Sequence, residues 1–585
     1  MKDQLRWKDV KCDEAAAVQL QRLLRISMIE AKILSSKGLG DPQSARFFLD
    51  SRLSQLENPF KITNMRTAAE RIWEAIAKKE RIAIFGDYDA DGICSTALMV
   101  YLIRYFGGNV RYYIPRRFEE GYGLSHGIVE RAFADFNPAL VIGLDCGTNS
   151  TEEIQWMQGR GTEVVIVDHH RANRELATNF ILVNPNVNQI ECRGTYGTFC
   201  TAGLVFKFTH GFLKCGRERG DPRANFFNLR SQLDLVTIAT VADVVPLIGE
   251  NRIFVKYGLK ELQNPWRIGT RAIMNQAFID HKQPLISSDL SFKICPRINA
   301  SGRIADAALP VEMFLCEDIK EANRMAAELS EMNAERQRIE SEITREASQI
   351  VETQFSDRSS IVLFNDRWHT GVIGIVAGKL MQRYRKPCVV LSGEENEMAK
   401  GSGRCVNGLN LVDLLSKCSH LLGSWGGHPL AAGIGMPREN VDRFREAFEV
   451  GVIEALKIID VANDLEIVSW IRPGDINESM MRPLRQLEPY GQGNMQPIFG
   501  IRNTAFSSAP RVFGNYSQHF NFTLSDNHRV VHGVAWHCAD DLPSIPERFD
   551  MAVRLHTTYW NGNRGVQVEM VAVRPATEGT ESGVS

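Results

Sequence analysis

No run of about 18 uninterrupted apolar residues occurs in this 585-residue chain, which excludes a membrane-spanning helix. The first residues, MKDQLRWKDVKCDEAA, lack the apolar stretch of a secretory leader, so a cytoplasmic location is expected. Paired cysteines are missing as well. Twelve thiols are scattered from Cys12 through Cys192 to Cys538, and none forms a C-x-x-C pair. That argues against a zinc ribbon or a thioredoxin-type motif and fits a reducing compartment. Neither charge is in excess: 68 Lys and Arg stand against 70 Asp and Glu, a formal net charge of −2. Any nucleic-acid site must therefore be a local basic groove.

What the chain has is length and an ordinary apolar content. With 44% apolar and 24% charged residues it reads as a folded protein too long for one core. Its most informative stretch is RIAIFGDYDADGICS, Arg81 to Ser95. Ile82, Ile84 and Phe85 predict a buried strand. Asp87, Asp89 and Asp91 follow on alternate residues, and a helix begins near Gly92. Carboxylates this close raise one another's pKa unless a cation sits among them, and hard oxygen ligands suit Mg²⁺ or Mn²⁺. The competing reading is a solvated acidic turn that caps the next helix.

Further ligand types arrive in the same way. The apolar run Ala139 to Leu144 ends in Asp145-Cys146-Gly147, and Val164 to Val167 ends in Asp168-His169-His170. Apolar runs alternating with helices predict a doubly wound parallel sheet, in which ligands bind beyond the carboxyl ends of the strands. Three strand ends thus bring Asp89 with Asp91, Asp145, and Asp168-His169-His170 to one edge. A fourth acid, Asp243, ends an apolar segment, LDLVTIATVADVVPL, as a metal ligand or as a helix cap.

The rest of the chain is read more coarsely. Residues 1–64 are polar and loosely helical. CPRINASGR, 295–303, places Arg297 and Arg303 on a glycine-containing loop that suits phosphate or is only structural. From Glu317 to about Phe355, apolar residues recur at three- and four-residue steps, predicting a long helix between two globular halves. Ser360 to Leu456 predicts a second α/β domain. Its glycine-rich stretches GSGRC and GGHPLAAG carry Ser402, Arg404 and His428, donors for a phosphate or a sugar, or ordinary turns with a packed histidine. Beyond Asp464, alternation at Phe520, Phe522 and Leu524 and at Met551, Val553 and Leu555 predicts a small all-β domain. NGNRG, from Asn561, is its turn signal, and Tyr516, Trp536, Tyr559 and Trp560 are aromatics available for stacking on single-stranded bases, as in an OB-type barrel. The polar tail is expected to be disordered.

Taken in order, GDYDADG, DCGT, DHH, ATVADVVPL, RINASGR, GSGR and GGHPLAAG resemble the motifs of the DHH phosphoesterase superfamily. Within it, the chain resembles the RecJ family of bacterial single-strand-specific 5′ exonucleases, and EPYGQGNMQPIF resembles the segment leading into that family's OB domain. The resemblance implies an α/β multidomain chain. A helical segment (1–64) precedes a DHH catalytic domain (65–316), a connecting helix (317–356), a DHHA1 substrate-binding domain (357–460), an OB-fold domain (461–577) and a disordered tail (578–585). It also implies that Asp89, Asp91, Asp145, His169 and Asp243 hold one or two Mn²⁺ or Mg²⁺ ions. Asp168 would orient His169, and His170 would face the scissile phosphate. Ser402 and Arg404, with Arg303 or Arg297 and with His428 nearby, would grip the 5′-terminal phosphate. One departure stands out: where the pyrophosphatase branch of the superfamily carries a histidine, four residues before its D-x-D pair, this chain has Phe85. Asp87 is left in a supporting or water-mediated place.

The implied activity is 5′→3′ hydrolysis of single-stranded DNA to 5′-mononucleotides by metal-activated water, in repair and recombination, by a monomer. Single-strand-binding protein and a helicase are the implied partners. Two alternatives are a phosphodiesterase of short oligonucleotides or cyclic dinucleotides and, less well matched, a non-catalytic replisome scaffold.

Overall fold

A computed structural model describes residues 5–116, 120–121, 123–172, 176–188, 197–305, 307–393, 397–458, 464–514, 518–526, 529–560 and 563–576. Cys192, Tyr516, the turn at Asn561, the Trp560 side chain and the tail 578–585 lie outside them. The chain divides into two compact units. One comprises Met1–Cys295, Val311–Asn323 and Asp464–Ser585, the other Pro296–Pro310 and Arg324–Asn463.

In the first unit the apolar runs form five parallel strands: β1 (Arg81–Gly86), β2 (Asn109–Tyr113), β3 (Leu140–Leu144), β4 (Glu163–Val167) and β5 (Ile181–Val183). Their spatial order is β2-β1-β3-β4-β5. All of β3, and all of β1 except Arg81, is buried, which is why these strands read as continuous apolar runs without alternation. The strand order reverses between β1 and β3, and the crevice above such a switch point is where open α/β sheets bind ligands. Helix Ala90–Tyr105 follows β1 and is apolar almost all round because it is buried almost all round. Phe85 is fully buried and stacks on Tyr113 with ring centroids 5.5 Å apart. Packing therefore accounts for the aromatic at that departure.

The amino-terminal residues are tied down more firmly than their polarity suggests. Strand Arg6–Asp9 pairs in parallel with Asp464–Ile467. Ala17, Leu20, Leu34 and Phe48, on three short helices, share one apolar core with Phe499, Phe520, Met551 and Leu555 of the carboxy-terminal β-region. That region is a seven-stranded sheet in which the predicted alternation holds: Phe520, Phe522, Leu524, Met551, Val553 and Leu555 all point inward. Trp536 is 47% exposed and Tyr559 is partly exposed.

The second unit has a five-stranded sheet ordered Ser424–His428, Ala431–Pro437, Met398–Arg404, Cys388–Gly393, Ile361–Asn365. Only the last pair is parallel. GSGR is thus strand, and GGHPLAAG is a hairpin of two strands joined by a turn at Pro429 and Leu430. CPRINASGR is not a loop. Cys295–Ile304 is a helix that follows a π-helical turn at Leu290–Ile294, because Ile294, Ile298 and Ser301 bury one face at helical spacing. The long helix runs from Ile319 to Gln354, 36 residues, and reaches about 54 Å while passing from one unit into the other. No helix among the described residues is long and apolar enough to cross a membrane.

Candidate metal centre and phosphate cradle

The loop after β1 wraps around the start of the next helix. Asp89 is its N-cap, accepting from the backbone N–H of Asp91 at 2.9 Å and of Gly92 at 3.2 Å. Both sequence readings of this loop therefore hold in part: the acid caps the helix, but the loop is not a solvated turn. Gly92 is required because a Cβ there would lie 2.4 Å from the Asp87 carbonyl oxygen. Asp91 is buried, and its two oxygens accept N–H bonds from Thr201 at 2.7 Å and Ala202 at 2.8 Å, the first residues of helix Thr201–Glu218. The same Thr201 donates its hydroxyl to Asp145 Oδ1 at 3.0 Å. Asp145 follows β3 with φ +62, a left-handed conformation that aspartate tolerates better than most residues.

At the end of β4, Asp168 organises the histidine pair. It accepts from the His169 N–H at 2.8 Å, from the Thr148 N–H at 3.2 Å and from the His170 ring at Nδ1, 2.8 Å. This corrects the expectation that Asp168 orients the His169 ring. A carboxylate at the strand end reaches His169 only through its backbone, and the ring it holds is that of His170. The His169 ring turns inward, its Nε2 3.3 Å from Asp145 Oδ1 and 3.8 Å from Asp243 Oδ2. His170 keeps 43% of its side chain exposed.

Three sets of potential ligand atoms lie within 4.8 Å of one another: Asp87, Asp89 and Asp145; Asp91, His169 and Asp243; and Asp145, His169 and His170. Asp87 is thus drawn into the cluster and not set behind it. Two carboxylate oxygens, Asp87 Oδ1 and Asp243 Oδ2, are buried without a hydrogen-bond partner. Orphaned acceptors among carboxylates and imidazole are what a divalent hard cation would satisfy, so this donor set fits Mn²⁺ or Mg²⁺. Burial and the neighbouring Asp89 push Asp87 up to about 7, and burial with Asp91 and Asp89 pushes Asp243 up to about 8. Burial also raises Asp145, with Asp91 adding to it. Burial lowers His170, but the bond and charge of Asp168 outweigh it and bring the ring to about 9.

A pH dependence follows. Without metal, the folded Asp87 and Asp243 hold their protons to about pH 7–8, whereas unfolded they ionise near pH 4. The fold binds more protons, so metal-free stability falls as pH rises through that window. A cation competes with those protons and binds more tightly at higher pH. The increase in Tm on adding Mn²⁺ should therefore be larger at pH 8 than at pH 6, as thermal unfolding would show. An increase that is flat or declines with pH contradicts the assignment.

Residues outside the predicted set also hold this centre. Asn184 donates to Thr148 Oγ1 at 3.0 Å and to the His170 carbonyl at 2.8 Å, while Asn186 donates to the His169 carbonyl at 2.6 Å. They follow β5, so the strand-end rule that found Asp145 and Asp168 would have found them. Thr201 carried a weaker signal, a small hydroxyl residue at a helix start.

In the second unit, Arg404 Nη1 donates to Ser402 Oγ at 2.7 Å and to the Gly403 carbonyl at 2.8 Å. A Cβ on Gly374, at the start of helix Ile373–Tyr384, would lie 3.2 Å from Arg404 Nη2 and 3.1 Å from Ser402 Oγ. Burial lowers Arg404, and no carboxylate among the described residues pairs with it. Arg303 Nη1 donates to the Gly371 carbonyl at 3.0 Å, two residues before that helix, whereas Arg297 Nε donates to Ser330 Oγ at 3.2 Å on the long helix. His428 is exposed on the edge strand, in register with Ala431, which is in turn in register with Arg404. The two lie on one face, about 10 Å apart at normal strand spacing.

The chain was compared with known proteins. The family model for the DHH family N-terminal domain matches residues 81–240, that for the DHHA1 domain 357–452, and that for the RecJ OB domain 469–572. The single-stranded-DNA-specific exonuclease RecJ of Bacillus subtilis is 32% identical over 96% of this chain and 70% of its own length. The enzyme of the same name from Dickeya dadantii is 32% identical over 90% of this chain and 92% of its own. The crystal structure of RecJ from Thermus thermophilus in complex with Mn²⁺ superposes with a TM-score of 0.82 at 26% identity, covering 100% of this chain and 82% of that one. The same protein with Mg²⁺ gives 0.77 at 26% identity, covering 100% and 80%.

Proposed function

This chain belongs to the RecJ family of single-stranded-DNA-specific exonucleases, and on that premise we propose how its own residues divide the work. The protein is a metal-dependent exonuclease of single-stranded DNA that uses Mn²⁺ or Mg²⁺. Asp89, Asp91, Asp145, His169 and Asp243, joined by Asp87, hold the cations. The observation that carries this is their convergence above the β1/β3 switch point with two buried carboxylate oxygens left without partners. When bound, such cations supply an activated water and offset charge on the attacked phosphate. His170, kept protonated by Asp168, donates from its exposed edge to a non-bridging phosphate oxygen. Thr201 fixes Asp91 and Asp145 together, so neither carboxylate needs to reorganise.

Arg404, Ser402 and Arg303 hold the 5′-terminal phosphate. A partly buried guanidinium with no carboxylate partner among the described residues, beside the first turn of a helix, favours an anion there. Arg303 suits this role better than Arg297, which is tied to Ser330. Gripping the 5′ end makes the enzyme remove 5′-mononucleotides in the 5′→3′ direction. The OB domain, with Trp536 exposed, supplies stacking for the strand. We further read the protein as a cytoplasmic monomer that receives strands with the help of single-strand-binding protein and a helicase.

End-labelled strands test the direction. With Mn²⁺, a long 5′-labelled strand should lose its label as a mononucleotide at the first cut, while a 3′-labelled copy shortens step by step. Release from the 3′ end first would overturn the reading. Activity confined to dinucleotides would instead favour a small-molecule phosphodiesterase.

A further inference from the structure

Most carboxylates of the metal centre are aimed by hydrogen bonds to their oxygens. Asp91 and Asp145 lean on Thr201, Asp89 on its helix, and Asp168 on Thr148 and His170. Asp243 differs. Its carboxylate accepts no hydrogen bond from the described residues, and Oδ2 is buried. With only the His169 ring at 3.8 Å beside it, its direction depends on the backbone that carries it. That backbone is a corner: Asp243 is the C-cap of helix Leu233–Ala242, and the next residue, Val244, is exposed with φ +55. A β-branched residue rarely adopts this conformation, and it persists only where the surroundings enforce it.

What enforces it lies about 250 residues further along the sequence. Leu247 donates its N–H to the Gln492 carbonyl at 2.7 Å. Gln492 sits at the tip of a turn closed by Gly491 and Asn494, whose N–H and carbonyl groups exchange two bonds of 3.1 Å. The fit is close. Gly493 has φ +71, and a Cβ there would lie 3.0 Å from Pro246 Cβ. A Cβ on Gly491 would lie 2.7 Å from Leu247 Cδ1. The base of the turn is fixed by buried Asn494, whose Nδ2 donates to the Leu487 and Pro489 carbonyls at 2.8 Å each. Arg252, 1% exposed, adds bonds to the carbonyls of Leu487 at 3.0 Å and Glu488 at 2.8 Å. On the other side, Asn251 Nδ2 joins the Pro246 carbonyl (3.0 Å) to that of Thr198 (2.8 Å), just before Thr201.

We propose that the Gly491–Asn494 turn, which lies within the OB domain, is a positioning element for Asp243. The seating of the OB domain on the catalytic domain then sets how tightly the centre holds its cations. This rests on reading Asp243 as a metal ligand.

The test is a calorimetric titration of Mn²⁺ into the metal-free full-length chain. Gly493→Ala should weaken Mn²⁺ binding about ten- to a hundredfold, the usual effect of disturbing what orients a ligand. Gly491→Ala should weaken it less, since the Leu247 side chain can move. Met495→Ala, on the same segment but 59% exposed, should leave it unchanged. In cleavage assays the Gly493→Ala defect should lie in kcat, recede at raised Mn²⁺ and leave KM for single-stranded DNA in place. A merely structural turn would instead shift KM and Tm with Mn²⁺ affinity intact. The proposal falls if Asp243→Asn weakens Mn²⁺ binding while both glycine variants bind as the parent does. If Gly493→Ala does not fold, Gly491→Ala decides. If Asp243→Asn itself binds Mn²⁺ like the parent, the ligand reading fails first.

Discussion

Asp145→Ala should abolish cleavage, with kcat falling at least about a thousandfold, the equivalent of roughly 4 kcal/mol of lost transition-state stabilisation. Asp145 belongs to two of the three ligand sets, one with Asp87 and Asp89 and one with the two histidines. Its loss therefore disables both sides of the centre, whereas Asp87 or Asp243 serves one. The fold should tolerate the change. Asp145 is buried among acids that already push its pKa up, so removing it relieves repulsion in the metal-free protein. Binding of single-stranded DNA, which we assign to the OB domain and the phosphate cradle, should remain largely intact. Measured on one preparation, cleavage at the parental rate would refute the metal assignment. Equal loss of cleavage and binding would refute the division of labour.

Arg404→Ala should lower kcat/KM on 5′-phosphorylated strands about a hundredfold, the range expected when a buried charge pair loses one partner. On strands with a 5′-hydroxyl the change should stay within a few-fold. Arg404 is partly buried with no carboxylate partner among the described residues, which favours an anion as its partner. Arg404→Lys should recover little. Arginine donates to both Ser402 and the Gly403 carbonyl from Nη1 alone and keeps Nη2 and Nε for an anion, which the single nitrogen of an ammonium cannot do. A variant that discriminates between the two strand types as the parent does would place the 5′ phosphate elsewhere.

Much of the metal centre was legible because its signals are local. β1, β3 and β4 announce themselves as apolar runs, and in a parallel sheet the residues just beyond such runs must gather at one edge. Asp89, Asp91, Asp145, Asp168 and the histidines could be named on that rule alone. The same rule, applied to Ile181–Val183, reaches Asn184 and Asn186, which were not singled out. The role of Asp168 was harder. A pair of adjacent histidines after a strand does not reveal which ring turns back to the carboxylate, because that depends on a loop also held by Thr148 and Asn184. Glycine and asparagine between Arg297 and Arg303 predict a turn and hence a loop. The burial of Ile298 and Ser301, a tertiary effect, makes the segment a helix and sends the two arginines to different partners.

Residue type and spacing thus determined, without coordinates, that this chain carries a doubly wound parallel sheet with acids at its strand ends, a long helix, a second α/β domain and a small all-β domain. Those features rest on periodicity and on strand-end chemistry, which are written within a few residues. Tertiary structure alone decided that Thr201 joins Asp91 to Asp145, that Phe48 and Leu20 share a core with the OB strands, and that the Gln492 carbonyl buttresses the corner beyond Asp243. Each of those contacts pairs generic groups, a backbone amide, a hydroxyl or a methyl, from segments far apart in the chain. Nothing in the local pattern distinguishes such groups from their neighbours until the fold brings them together.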